Sequence, residues 1–121
     1  MRDINNIQVS ANFKLREFQC KGGTWEVVLH RELLERLQQL RANLGLPVHI
    51  NSGYRTPEHN VRVGGSPKSY HLRGMAADIV VPGVVPGELA AAARKTGFRG
   101  IGIYNNFLHV DIRENNAEWR G

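Results

Sequence analysis

Two histidines and two aspartates stand where this chain could do chemistry. The stretch SYHLRGMAADI, Ser69 to Ile79, sets His71 and Asp78 seven residues apart, and FLHVDIR, Phe107 to Arg113, sets His109 two residues before Asp111. Asp78 is flanked by Ala77, Ile79 and Val80, so its carboxylate belongs to a run that otherwise reads as buried. A buried carboxylate without a partner is costly, and it requires a cation. Arg55, Arg73 or Arg113 could supply one as an ion pair. A metal is the other solution: His71, Asp78 and His109 would offer two neutral imidazole nitrogens and one oxygen, leaving a fourth position open on tetrahedral zinc, as catalytic sites do. Spacing alone leaves both solutions open.

The elements that must position these groups follow from periodicity. Leucines 33, 34, 37, 40 and 44 recur at helical spacing and predict an amphipathic helix over Arg31 to Leu44, stopped by Gly45 and Pro47. PVHI predicts a short strand ending at the turn-formers Asn51, Ser52 and Gly53, with His49 facing away from Val48 and Ile50. Thr56 as N-cap and Pro57 in the first position predict one or two helical turns to Val63, followed by a loop over Gly64 to Ser69. Met75 to Val81 reads as a strand, and PGELAAAARKTG as a helix opened by Pro86 and closed by Gly97. GIGIY and FLHVDIR read as a hairpin joined through Asn105 and Asn106. Because side chains alternate along a strand, Leu108, Val110 and Ile112 form its core face while Phe107, His109 and Asp111 share the other. The expected fold class is α+β: a small, mostly antiparallel sheet packed with helices.

Composition limits the alternatives. At 121 residues the chain is the size of one domain, taken as 1–121, and 41% hydrophobic with 22% charged residues is ordinary for a globular protein. The longest apolar run, around Ala76 to Val85, is broken by Asp78, Pro82 and Gly83, so no membrane insertion is expected. No apolar stretch follows the basic residue near the N-terminus, so no secretory signal is expected. The single cysteine, Cys20, has no internal disulfide partner and reads as an inert thiol. A net charge of +5 suits an anionic partner, but the basic residues are scattered and no nucleic-acid motif accompanies them, so nucleic acid is not expected.

Taken together, SGYRTPEHN, SYHLRGMAADI, GIGIY and FLHVDIR resemble the zinc D-alanyl-D-alanine carboxypeptidase family, bacterial and phage cell-wall peptidases akin in structure to the hedgehog signalling domain. The SxHxxGxAxD motif is present as Ser69, His71, Gly74, Ala76 and Asp78, and its conjunction with the downstream HVD is specific. NFKLREFQC and AEWRG also look like the opening and ending of the family's small members. The resemblance implies Zn2+ held by His71, Asp78 and His109, and Arg55 in the active site, steadying a substrate carboxylate or a developing oxyanion. Ser69 and Tyr104 are further candidates for substrate contact, and Arg73 either binds a terminal carboxylate or is an exposed loop residue. Some members carry His-x-His on the last strand, and here Asp111 takes the second place. It is therefore the candidate general base, with the exchange of roles, Asp111 on the metal and His109 as base, left open.

The implied substrate is the stem peptide of bacterial peptidoglycan, cut near a D-amino acid as terminal trimming or as endopeptidase cleavage. A monomer made in the cytoplasm and reaching the wall after release or export, as a phage or prophage lysis protein does, is the expected setting. A zinc-binding recognition module without turnover is the rival reading.

Overall fold

The computed structural model describes residues 3–121. Its first helix, α1, covers Arg31–Leu44 and buries Leu33, Leu37 and Leu40; the His30 ring caps it by accepting from the Glu32 amide, and Gly45 ends it. Strand β1 is His49–Ser52, with His49 exposed and Ile50 buried, as the alternation predicts. Helix α2 is Pro57–Arg62, capped by the Thr56 hydroxyl, and stops one residue short of the expected end. Strand β2 is Ala76–Val80, helix α3 is Pro86–Thr96, and strands β3 and β4 are Gly100–Ile103 and Leu108–Asp111. The β3–β4 turn is closed by the Tyr104 amide donating to the Phe107 carbonyl at 3.1 Å, with Asn105 and Asn106 between them.

Three elements depart from expectation. Short 3-10 turns form at Leu15–Phe18 and, after the 64–69 loop, at Tyr70–Arg73, and a fifth strand, β5, forms at Ala117–Arg120. AEWR has no apolar run to announce a strand; it forms because it can pair in parallel with β3 at the edge of the sheet. The sheet order is β1-β2-β4-β3-β5, antiparallel except for the last pair.

Register divides the sheet into two faces. Ala77 opposite Val110, Ile79 opposite Leu108 and Ile101 opposite Val110 form a layer that packs with α1 and α3 through Leu37, Leu40, Leu89, Ala90 and Ala93. Along the other face a row runs across the strands: Ser52, Asp78, His109, Gly102 and Trp119 are successive cross-strand partners. Asp111 sits one step along, between Ala76 and Gly100. The N-terminal segment contributes Phe13 and Phe18 to the core, and Cys20 is buried beside Thr56. Among the described residues no helix is long and apolar enough to cross a membrane.

Candidate metal centre and cleft

His71 is delivered by the 3-10 turn. The Ser69 hydroxyl accepts from the His71 amide at 3.2 Å and starts the turn, and Gly74 ends it at φ 68°. A Cβ on Gly74 would lie 2.2 Å from the Val28 carbonyl oxygen, so both backbone angle and space require glycine there. Asp78 and His109 arrive from β2 and β4, directly opposite one another.

The hydrogen bonds around the two rings decide which nitrogens are free. His71 Nδ1 lies 2.7 Å from the Gly53 carbonyl oxygen, which can only accept, so Nδ1 carries the proton. His109 Nε2 lies 2.7 Å from Asp111 Oδ2 and donates to it. In the neutral rings His71 Nε2 and His109 Nδ1 are then lone pairs, and both point at one oxygen, Asp78 Oδ1, at 3.2 and 3.1 Å. Three acceptors with no proton between them repel unless a cation stands in their midst. The ligand atoms of His71, Asp78 and His109 all lie within 4.8 Å of one another. Donors about 2.0 Å from a tetrahedral ion sit about 3.3 Å apart, so the observed Asp78–His spacings match zinc.

Charge in the site follows the same logic. With no ion bound, burial disfavours the Asp78 carboxylate, but the polar contacts with His109 and His71, a proton then standing between ring and carboxylate, outweigh it and hold its carboxyl well below the usual range. Burial also disfavours protonated His109, yet in the metal-free site its contacts with Asp111 and Asp78 raise it above the ordinary imidazole value.

The ion-pair solution for Asp78 is present as well, on its other oxygen. Arg55 Nη2 donates to Asp78 Oδ2 at 3.1 Å, while Nε donates to Ser52 Oγ at 3.1 Å and Nη1 to Asn60 Oδ1 at 3.2 Å. Asn60 is buried, and its Nδ2 ties down the Ser66 carbonyl at 2.9 Å. Helix α2 thus anchors both Arg55 and the loop beside the site. Metal and guanidinium are complementary partners of Asp78, one oxygen each.

Asp111 lies behind His109, and its side chain has no exposed surface. Arg113 donates to it from the backbone amide at 3.1 Å, from Nε at 2.8 Å and from Nη2 at 2.6 Å. Burial again disfavours the charge, and the bonds from Arg113 and then His109 outweigh it, lowering the carboxyl well below its usual range. Gly100 makes room: a Cβ there would lie 2.0 Å from Asp111 Oδ1.

Above the three ligands opens a cleft of about 780 Å³, lined among others by Arg55, Ser69 and Tyr104. Tyr104 stacks on Phe107 at 4.5 Å, and its hydroxyl accepts from Trp119 Nε1 at 3.0 Å. Lys68 and Arg73 stand exposed at its edge. Asp78 is the one carboxylate among the described lining residues. Sequence alone did not single out Asn60 or Trp119, and neither carries a local signal. Arg113 did carry one, since strand alternation puts it on the face of His109 and Asp111.

A five-stranded sheet in an α+β fold presenting two histidines and an aspartate to an open cleft defines a domain with a zinc-type metal-binding donor set. The family model described as Peptidase M15 matches residues 11–111, and the chain belongs to that family. It is 34% identical over 88 residues to the peptidoglycan L,D-endopeptidase MepK of Escherichia coli (strain K12), covering 65% of this chain and 48% of that protein. It is 39% identical over 81 residues to the zinc D-Ala-D-Ala carboxypeptidase of Streptomyces albus G, covering 62% of this chain and 32% of that protein. The chain thus spans about half the length of its MepK relative, or less of the carboxypeptidase. The crystal structure of the Serratia marcescens L-Ala D-Glu endopeptidase ChiX superposes with a TM-score of 0.52 at 20% identity, covering 70% of this chain and 80% of that one, and shares the fold.

Proposed function

We propose that this chain is a zinc-dependent peptidase that hydrolyses a peptide bond beside a D-amino acid in the stem peptide of bacterial peptidoglycan. The observation that carries the reading is the convergence of two imidazole lone pairs on Asp78 Oδ1 at the floor of an open cleft. The names of the MepK and carboxypeptidase relatives support the substrate class. When bound, zinc supplies Lewis-acid activation of water and of the scissile carbonyl.

The chain's own residues hold and orient. His71, Asp78 and His109 hold the ion, the Gly53 carbonyl and Asp111 fix the two ring tautomers, and Arg55 keeps Asp78 Oδ2 from turning inward. Arg55 also lines the cleft, where its guanidinium would favour negative charge building on a substrate oxygen. Ser69 and Tyr104 line the substrate's path, and Lys68 and Arg73 give its edge a positive charge suited to a peptide rich in carboxylates. Asp111 acts through His109 as an orienting carboxylate, in place of the proton-transfer role expected from the sequence. All three metal ligands come from one chain, which suits a monomer acting on the cell wall after release or export.

A second reading, a zinc-holding recognition module without turnover, is favoured by the sequestration of Asp111 from the cleft. Incubation of the zinc-loaded protein with purified peptidoglycan, with products identified by mass spectrometry, separates the two. Cleaved stem peptides are expected from wild type and none from the metal-stripped protein or from His71→Ala. Intact substrate at full zinc occupancy would refute the peptidase.

A further inference from the structure

Beside the metal ligands, in the wall of the same cleft, Arg113, Tyr70 and Trp119 make a set of contacts that the zinc ligands themselves do not account for. The Arg113 guanidinium lies 4.8 Å from the Tyr70 ring centroid and 4.9 Å from that of Trp119. Its Nε and Nη2 are both committed to Asp111, and the Arg113 backbone amide adds a third bond to the same carboxylate. Contact with two aromatic rings and two charge-assisted donors to one carboxylate fix this guanidinium in place. Its Nε and Nη2 edge faces Asp111 and is not turned to a substrate.

Trp119 is itself held. Gly102 on β3 is its cross-strand partner, and a Cβ on Gly102 would lie 2.6 Å from the indole, so the ring can lie over the sheet only because that position has no side chain. The indole nitrogen donates to Tyr104, and the ring stands 5.2 Å from His109. Trp119 lies on β5, beyond residues 11–111 matched by the family model.

The geometry points to Arg113, set between Tyr70 and Trp119, as a positioning residue that fixes the metal ligand His109 through Asp111, so that the parallel edge strand β5 helps to set how tightly this chain holds zinc. The inference rests on the zinc site proposed above but not on any hydrolysis. Three donors from Arg113 fix both the angle and the charge of Asp111; the carboxylate in turn fixes the His109 tautomer and aims Nδ1 at the ion. Without Arg113 a fully buried carboxylate loses its cation and either takes a proton or turns away, and His109 loses its fixed acceptor.

The experiment measures zinc affinity directly, by competition with a chromophoric chelator, for wild type, Arg113→Gln, Arg113→Lys and Trp119→Ala, with the metal-free melting of each variant recorded alongside. Arg113→Gln is expected to weaken zinc binding by about 10–100-fold, the usual cost of losing an outer-shell partner. Arg113→Lys keeps the charge but not the fork and is expected to recover only part of the loss; Trp119→Ala is expected to weaken binding less than Arg113→Gln. In the zinc-loaded protein the His109 Nε2 proton should give a slowly exchanging low-field NMR signal that Arg113→Gln broadens or abolishes, which mere destabilisation elsewhere would not do. A folded Arg113→Gln that binds zinc as tightly as wild type, or tighter, overturns the inference. If that variant does not fold, Trp119→Ala decides, and unchanged zinc affinity there overturns it equally. Loss of peptide hydrolysis with unchanged zinc affinity would count against the role of Arg113 while leaving the peptidase reading intact.

Discussion

Replacing Asp111 by asparagine distinguishes a carboxylate that positions a ligand from one that moves a proton. Asp111 accepts four hydrogen bonds, from His109 Nε2 and Arg113 Nη2 on Oδ2 and from Arg113 Nε and the Arg113 amide on Oδ1. An amide offers one oxygen and one NH2. If its oxygen stays on the His109 side, the NH2 faces two donors of Arg113, and two attractive contacts become repulsive. Hydrogen bonds to charged groups contribute about 1.5–3 kcal/mol each, and breaking a buried pair costs about 3–5 kcal/mol, so a loss of about 3–5 kcal/mol is expected. Typical domains have about 5–15 kcal/mol in hand, so the variant should fold at reduced temperature with a clearly lowered melting point. Zinc affinity should fall by about 10–100-fold because the acceptor for His109 is no longer held square. The decisive assay titrates zinc while following cleavage of a stem peptide. If Asp111 positions His109, turnover per bound zinc returns close to the wild-type rate once zinc saturates. A rate still reduced by about 10²–10⁴-fold at full occupancy is the signature of a lost general base, and it would refute the positioning argument.

Two further outcomes test the frame around the site. Gly100→Ala sets a methyl group where the Asp111 carboxylate stands, and the carboxylate is held too firmly to yield; a loss of about 1–3 kcal/mol by chemical denaturation is expected, together with weakened zinc binding, and a variant neutral in both would show that Asp111 is not confined as described. Glu32 accepts from Arg99 Nη1 at 2.9 Å and Nη2 at 3.1 Å, tying α1 to the start of β3, and these bonds, ahead of the opposing effect of burial, lower its carboxyl. A lowered folded value means that the pair stabilises the fold above the unfolded carboxyl value, about 4.3, and that this contribution is lost as pH falls through the folded value. Glu32→Gln should therefore cost up to about 1 kcal/mol at neutral pH and flatten the acid limb of the stability profile, and an unchanged acid limb would refute it.

The extent to which the site could be read from the residues follows from how local each cause is. Strand alternation is a local rule, and it alone puts His109, Asp111 and Arg113 on the face opposite Leu108 and Val110. A carboxylate in the AADIV run is likewise a local anomaly, because its neighbours announce burial. The choice between ion pair and metal is not local, because Asp78 has two oxygens: one accepts from Arg55 and the other faces the two imidazoles, free for an ion. Nor was the division of labour in HVD readable. The side of the His109 ring that faces the ion depends on Arg113 drawing Asp111 to the opposite nitrogen, and that depends on Gly100 leaving the space. The least readable element is β5, whose AEWR segment becomes a strand only through parallel pairing with residues about seventeen positions earlier, a tertiary cause with no periodic trace. Yet GIGI carried an indirect sign of it. Alternate glycines on the polar face of a central strand leave a trough, and a trough on that face implies side chains from neighbouring strands reaching across it: Asp111 over Gly100 and Trp119 over Gly102. Glycine spacing in a strand thus recorded the reach of Asp111, which alternation already places on that face, and of Trp119, whose own position in the sequence gives no hint.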